Sequence, residues 1–222
     1  MTKKIVLTHR FLREHYREVC EILSNASSID AYMDATRKRA QEYPKQKIDE
    51  LEVWEGANFI GGMFELFCEF LCKRYETYPN LRIRNFQPGV RKTKRDNGLD
   101  GEAVDSDTGN PVFFQFKGHA EFVYENGVWK EKYLTAGKDR LDSAFAETHR
   151  VLRHRHPLGT SYWPRVIVIT SAKGIHWYTK KEKYDDAVEC IAIEQLRHKM
   201  TNERAFWDEF RASVFGKTVR KY

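Results

Sequence analysis

Residues 96–117 read Asp-Asn-Gly-Leu-Asp-Gly-Glu-Ala-Val-Asp-Ser-Asp-Thr-Gly-Asn-Pro-Val-Phe-Phe-Gln-Phe-Lys. Two short strands are predicted here, over 99–104 and 112–117. They are joined by the turn-forming segment 105–110, whose Asp, Ser, Gly and Asn residues satisfy or tolerate turn backbone. Side chains on a strand alternate between faces, so Gln115 and Lys117 share one face while Phe114 and Phe116 enter the opposite layer. If the strands pair as a hairpin, Asp100 comes to lie beside Gln115 and Lys117. A carboxylate, a carbonyl oxygen and an ammonium then meet at one place. A half-buried lysine costs free energy unless it is paired, which makes the position of Lys117 next to phenylalanines informative.

Upstream, Ile60, Met63, Phe64, Phe67, Phe70 and Leu71 recur at three- and four-residue intervals and predict a helix over 57–75. Glu65, Glu69 and Lys73 follow at four-residue spacing on a different face; taken alone they read as a solvated ladder of charge pairs. After Pro79 the period falls to two, with Leu81, Ile83 and Asn85 alternating against Arg82, Arg84 and Phe86, so a strand is expected. Four of the five residues from Arg91 to Arg95 are basic: Arg91, Lys92, Lys94 and Arg95. Residues 8–43 read as one or two amphipathic helices carrying Phe11, Leu12, Val19, Ile22 and Leu23, with Ser27 or Ser28 as N-cap of the second. Pro44 then breaks the pattern, and a polar stretch leads to Trp54.

Downstream, residues 122–133 read as a second hairpin whose Asn126-Gly127 supplies the positive φ angles of a tight turn. A helix over 139–154 and a β-branched strand buried on both faces at 166–170 follow. A strand at 190–193 and one or two helices within 194–214 complete the chain. The expected fold class is therefore α/β, a mixed sheet flanked by helices, with an N-terminal helical extension over 1–50 and one core domain over 51–222.

The chain has 222 residues, of which 41% are hydrophobic and 32% charged, a balance that fits a globular protein and argues against disorder. No apolar run approaches the roughly 18 residues that span a bilayer, and the first ten residues lack the apolar core of a secretory signal. A cytoplasmic location and no membrane partner are the expectations. The cysteines, Cys20, Cys68, Cys72 and Cys190, suggest neither a disulfide framework nor a zinc site. The net charge of +6 favours an anionic partner.

Hard divalent cations such as Mg²⁺ prefer oxygen ligands, so Asp100, the Gln115 side-chain oxygen and a backbone carbonyl make a partial cage for one. Such a site suits phosphodiester hydrolysis, with Lys117 positioning the nucleophile or offsetting charge in the transition state. The same residues also admit a structural reading, in which Asp100-Gly101 is a turn and Lys117 guards a sheet edge. His149, His154 and His156, interleaved with Arg150, Arg153 and Arg155, read first as a solvated helix end and second as a surface for a phosphate backbone. Trp177 and Tyr178 receive no role, and Phe206, Trp207 and Phe210 read as the apolar face of the last helix.

Asp96-Asn97-Gly98-Leu99-Asp100-Gly101 resembles the Asp-Gly-Gly-Ile-Asp-Gly signature of Mrr-like restriction endonucleases. Gln115-Phe116-Lys117 resembles their Gln-x-Lys, a variant of the acidic-x-Lys half-motif of the PD-(D/E)XK nuclease superfamily. Gly62-Met63-Phe64-Glu65 is similar to the Phe-Glu pair on the helix preceding their catalytic strands. The resemblance covers about residues 56–214, and it implies a restriction-endonuclease-like core and a metal-dependent DNA endonuclease. Asp100 would then be the main metal ligand, Gln115 a second, Lys117 the catalytic lysine and Glu65 an auxiliary acid on metal or water, with Mg²⁺ as cofactor and Mn²⁺ as substitute. It also gives Arg91, Lys92, Lys94 and Arg95 a role on the phosphate backbone of DNA. Cutting both strands takes two active sites, so a homodimer is expected. Asn97 replaces a glycine of the signature, and the neutral Gln115 replaces a carboxylate of many relatives, which weakens the hold on a metal. The extension before residue 50 and the Asn126-Gly127 hairpin have no counterpart and are where target recognition is expected. Two other functions fit the same residues: a DNA-binding or partner-binding module of a larger restriction or helicase assembly, and a nuclease selective for junctions or flaps.

Overall fold

The structure, a computed structural model, describes residues 5–48, 51–74, 81–89, 99–135, 141, 146, 148, 150, 165–176, 188–201 and 204–216. They belong to two compact units: Met1–Leu71 with Glu194–Tyr222, and Cys72–Ile193.

In the first unit the N-terminal residues form α1 (Arg10–Glu14), α2 (Tyr16–Asn25) and α3 (Ile29–Ala40). The Ser28 side chain caps α3 by accepting from Ala31 N at 3.1 Å, which satisfies one of the amides that a helix start leaves without an intrahelical partner. A short antiparallel hairpin follows, β1 (Lys45–Ile48) and β2 (Leu51–Trp54), where only a polar stretch was expected. Next comes α4 (Glu55–Arg74). Its stripe of Phe59, Met63, Phe64, Phe67, Phe70 and Leu71 is buried, and so are Leu66, Cys68 and Cys72 on other sides. A helix enclosed on most faces needs this nearly continuous apolar sequence.

The C-terminal residues of this unit follow α5 (Ile193–Gln195), pass through a π-helical turn (Leu196–Thr201) and end in α6 (Arg204–Phe215). As expected, Phe206, Trp207 and Phe210 form the buried face of α6. Trp207 lies 5.7 Å from Tyr32, and Phe210 stacks on Phe70 at 4.6 Å, centroid to centroid. Within α4, Glu69 departs from the expected solvated ladder: its side chain is fully buried. Three donors offset the cost of burying that carboxylate. Its Oε1 accepts from Thr8 N at 2.6 Å and Thr8 Oγ1 at 2.9 Å, and its Oε2 accepts from His9 N at 3.0 Å.

The second unit is built on a five-stranded mixed sheet. Its strands are β3 (Ile83–Pro88), β4 (Gly101–Asp105), β5 (Pro111–Lys117), β9 (Arg165–Thr170) and β11 (Val188–Ile191), in the order β11-β9-β5-β4-β3. The neighbours β3, β4 and β5 are antiparallel, whereas β5, β9 and β11 run parallel. This is the expected α/β fold class with a mixed sheet. The run Val166–Thr170 is buried throughout, as its β-branched composition requires in a strand covered on both faces.

Two smaller pairs complete the unit. A hairpin joins β6 (Phe122–Glu125) to β7 (Val128–Glu131), and a parallel pair joins β8 (Leu134–Thr135) to β10 (Ile175–His176). Asn126 and Gly127 turn the hairpin with φ of 52° and 82°, the positive values that favour those residue types. Leu141, Ala146, Thr148 and Arg150 are helical, within the helix expected over 139–154; the other residues of that segment lie outside the described ones. Leu141 packs into a buried cluster with Leu134, Val166, Val168 and Ala172. Among the described residues, no helix is long and apolar enough to cross a membrane, and none of the four cysteines forms a disulfide.

Candidate active site

β5 carries the residues on which the site is built, and its two faces differ in kind. On one face Phe114 and Phe116 meet Phe86 of β3, with ring centroids 5.2 and 6.3 Å away. Phe86 reaches this layer because β3 is irregular. Its register against β4 shifts between Arg84 and Gln87, and Asn85 takes a φ of 57°. The extra residue breaks simple alternation and turns Phe86 inward. Gly101, the register partner of Phe114, makes room for that ring, since a Cβ there would meet Phe86 Cε2 at 2.6 Å.

The other face carries Gln115 and Lys117. Asp100 immediately precedes β4, one step beyond the Gly101–Phe114 pair, and its backbone N donates to Phe114 O at 2.9 Å. This register places the Asp100 carboxylate over β5. Its Oδ2 accepts from Phe116 N and from Gln115 Nε2, each at 2.6 Å. Charge-assisted bonds of this length are stronger than neutral ones.

The amide of Gln115 is thereby oriented. Only its NH₂ can face a carboxylate oxygen, so its carbonyl oxygen must face the other way. Gln115 is 2% exposed, and its Oε1 is buried with no hydrogen-bond partner among the described residues. A buried acceptor without a partner costs about 1–3 kcal/mol. A native protein that carries such a cost invites the explanation that something else binds there.

Lys117 ends β5, half-buried, in register with Thr170 at the end of β9. Its carbonyl accepts from Thr170 Oγ1 at 2.8 Å and Ser171 N at 3.2 Å. Ser171 and His119 then exchange two bonds, His119 N to Ser171 Oγ at 2.8 Å and Ser171 Oγ to His119 O at 2.7 Å. These bonds fix the paired C-terminal ends of two parallel strands, the part of an open α/β sheet where ligands bind. Neither Thr170 nor Ser171 stood out in the sequence. Their position at the end of a buried strand and just after it was the only signal.

At the opposite end of the β4–β5 hairpin, Asp105 organises the turn. Its Oδ1 accepts from Asp107 N at 3.0 Å, Thr108 N at 2.9 Å and Thr108 Oγ1 at 3.1 Å. Arg165 joins Asp105 Oδ2 at 3.1 Å, Leu81 O at 2.7 Å and Glu189 at 2.7 and 2.8 Å, and so ties β9 to β11 and to the hairpin. Burial alone would raise the Asp105 pKa. The bonds from Thr108 and Asp107 and the charge of Arg165 outweigh it and hold the carboxyl below its ordinary value of 3.8. On β11, burial pushes the Cys190 thiol up to about 11, which disfavours the thiolate at neutral pH.

The remaining sequence-derived candidates belong to the first unit or lie outside the described residues. Glu65 lies on α4 in the first unit, where its Oε2 is 2.9 Å from His9 Nε2. Arg91, Lys92, Lys94 and Arg95 lie outside the described residues, as do His149, His154, His156, Trp177 and Tyr178. The hairpin tip noted for target recognition exposes Val128 and Trp129, the latter by 71%.

The donor set decides which ion could suit the site. Among the described residues, no group of three or more His, Cys, Asp or Glu is placed to hold a metal. Asp100 and Gln115 form a smaller set made only of oxygen, a carboxylate beside a buried carbonyl without a partner. That chemistry fits a hard ion that keeps several waters, such as Mg²⁺, and does not fit zinc. No protein-family model and no curated protein matches the chain.

Proposed function

We propose that the chain is a Mg²⁺-dependent endonuclease that hydrolyses phosphodiester bonds in DNA, with Mn²⁺ able to replace Mg²⁺. The observation that carries this reading is the Asp100–Gln115 pair, which leaves the buried Gln115 Oε1 without a partner among the described residues. The resemblance of residues 96–101 and 115–117 to Mrr-like nucleases supports it. Asp100 and Gln115 would hold the ion; the role of auxiliary acid for Glu65, a residue of the first unit, rests on the resemblance alone. Bound Mg²⁺ would supply Lewis acidity toward the phosphate and a more acidic water.

The chain's own residues do the rest. Lys117 follows Gln115 by two residues on the same face of β5, where its ammonium orients the attacking water and offsets charge that builds on the phosphate in the transition state. The bonds from Gln115 Nε2 and Phe116 N fix the direction of the Asp100 carboxyl before any ligand arrives. Because Gln115 is neutral, the pair carries one negative charge where two carboxylates would carry two, and it holds the ion more weakly. Arg91, Lys92, Lys94 and Arg95 hold the DNA backbone, which positions the substrate without reading its sequence. We place the enzyme in the cytoplasm and infer a homodimer for double-strand cutting.

The test is incubation of the purified chain with supercoiled plasmid in Mg²⁺, in Mn²⁺ and in EDTA. Nicked or linear product in either metal and none in EDTA is the expected result. DNA binding without nicking under every metal condition would replace the endonuclease with a DNA-binding module.

A further inference from the structure

We propose that Thr170 is a positioning residue for Lys117: its hydroxyl holds the end of β5 from which the catalytic ammonium is presented. This rests on the endonuclease reading above and deepens it. Both residues belong to the second unit. Residues 166–169 read Val-Ile-Val-Ile, and Thr170 closes the same buried strand. A valine would continue that run in nearly the same shape. A buried hydroxyl costs free energy unless it is hydrogen-bonded, so the difference between Thr170 and the residues before it lies in what its oxygen does.

That oxygen is used twice. Oγ1 donates to Lys117 O at 2.8 Å and accepts from Ala172 N at 3.0 Å. The second bond turns the chain at the end of β9, as hydroxyl side chains commonly do. The first crosses to β5, where Lys117 is the register partner of Thr170. Lys117 O also accepts a longer bond from Ser171 N at 3.2 Å. Both lone pairs of this carbonyl are thus engaged, at the last residue of β5, where strand ends ordinarily fray. The chain just beyond is held as well. Ser171 is fully buried, and its Oγ accepts from His119 N at 2.8 Å and donates to His119 O at 2.7 Å.

Lys117 needs such a hold more than the residues before it. Its ammonium rides on a flexible four-carbon stem, so the backbone is the part of the residue that the sheet can fix in advance. A misplacement of about 1 Å in a reacting group costs on the order of 100-fold in rate. Thr170 touches neither metal nor phosphate in this account; it acts through Lys117.

Two substitutions isolate the hydroxyl. Thr170→Val keeps the shape and removes both bonds, whereas Thr170→Ser keeps the oxygen. Each is made in the parent and in a Lys117→Ala background, and kcat and KM for plasmid cleavage by the full chain in Mg²⁺ are measured, with the melting temperature in EDTA as the check on folding. Thr170→Val is expected to lower kcat by about 10- to 100-fold at unchanged KM, and Thr170→Ser to recover most of that loss. In the Lys117→Ala background Thr170→Val should add no further loss, because the group through which it acts is gone. A residue that only ends the strand would slow cleavage by the same factor in both backgrounds. Should Thr170→Val fail to fold, Thr170→Cys replaces it: it differs from Thr170→Ser by one atom and donates only weakly, so it should cut more slowly than Thr170→Ser.

Parent-like kcat in folded Thr170→Val would overturn the proposal, as would a loss repeated in full in the Lys117→Ala background, or equal rates for the Ser and Cys variants. If any of these is found while Lys117→Ala itself cuts far more slowly than the parent, the positioning role fails and the endonuclease reading stands. A parent that cuts in neither Mg²⁺ nor Mn²⁺ overturns both.

Discussion

Gln115 donates its side-chain amide to Asp100 Oδ2 at 2.6 Å, and this bond turns the Gln115 carbonyl oxygen into a buried position with no partner among the described residues. Gln115→Glu would remove the donor and set a second carboxylate against the first. Like charges this close cannot both ionise, so one takes up a proton or the pair moves apart. In EDTA the variant should lose roughly 1–3 kcal/mol by chemical denaturation, the cost of leaving a buried polar group unsatisfied. Added Mg²⁺ should recover that loss and stabilise the variant more than the parent. Equal stability in EDTA together with an unchanged Mg²⁺ response would show that Gln115 faces no ion.

Gly101 and Phe86 share one space, since a Cβ on Gly101 would meet the ring at 2.6 Å. Gly101→Ala should therefore destabilise the chain by about 1–3 kcal/mol, the usual cost of overpacking. Urea denaturation of Gly101→Ala, Phe86→Leu and the double variant measures it. The double variant should lose less than the sum of the two, because the smaller side chain gives way to the new methyl. Strict additivity would mean that the two residues do not compete.

Asp105 makes the stability depend on pH in one direction. Its carboxyl is held below its ordinary value of 3.8 in the folded chain. A depressed folded pKa contributes stability that is present above the unfolded pKa and is lost as pH falls through the folded one. Denaturation midpoints should thus fall as pH is lowered below about 4, the unfolded range for Asp. Asp105→Asn should flatten that fall. An unchanged acid slope in the variant would assign the acid sensitivity to other carboxylates.

Much of the fold was legible because the deciding signals were local. Alternation of Gln115 and Lys117 against Phe114 and Phe116 gave β5 and its two faces, and Asn126-Gly127 gave the second turn. Ser28 was visible as one of two candidate caps, with Ser27, because a capping side chain reaches only a few residues along the chain. The hairpin of β1 and β2 was missed, since Lys45-Gln46-Lys47-Ile48 carries no apolar alternation to mark it. Periodicity began β3 at Leu81, two residues early, because it does not register the positive φ of Arg82 just before the strand, nor the bulge at Asn85 within it.

The less legible part of the site rests on contacts distant in sequence. His9 meets Glu65 across 56 positions, and Arg165 reaches Leu81 across 84. Neither spacing carries a pattern. Glu69 appeared as one rung of a solvated ladder because the burial of its helix face depends on the rest of the unit. The hydrogen-bond direction within the Asp100–Gln115 pair, which carries the functional reading, became visible only once both strands were in register.

The measurement that tests the central claim most directly compares the parent with Asp100→Ala and Lys117→Ala, each assayed in Mg²⁺ for plasmid cleavage and for DNA affinity. The account predicts that both variants fold, bind DNA within a few-fold of the parent and cut at least about 100-fold more slowly, as loss of a group that acts in the transition state requires. Cleavage by both variants at the parent's rate would contradict it and remove the catalytic role from Asp100 and Lys117.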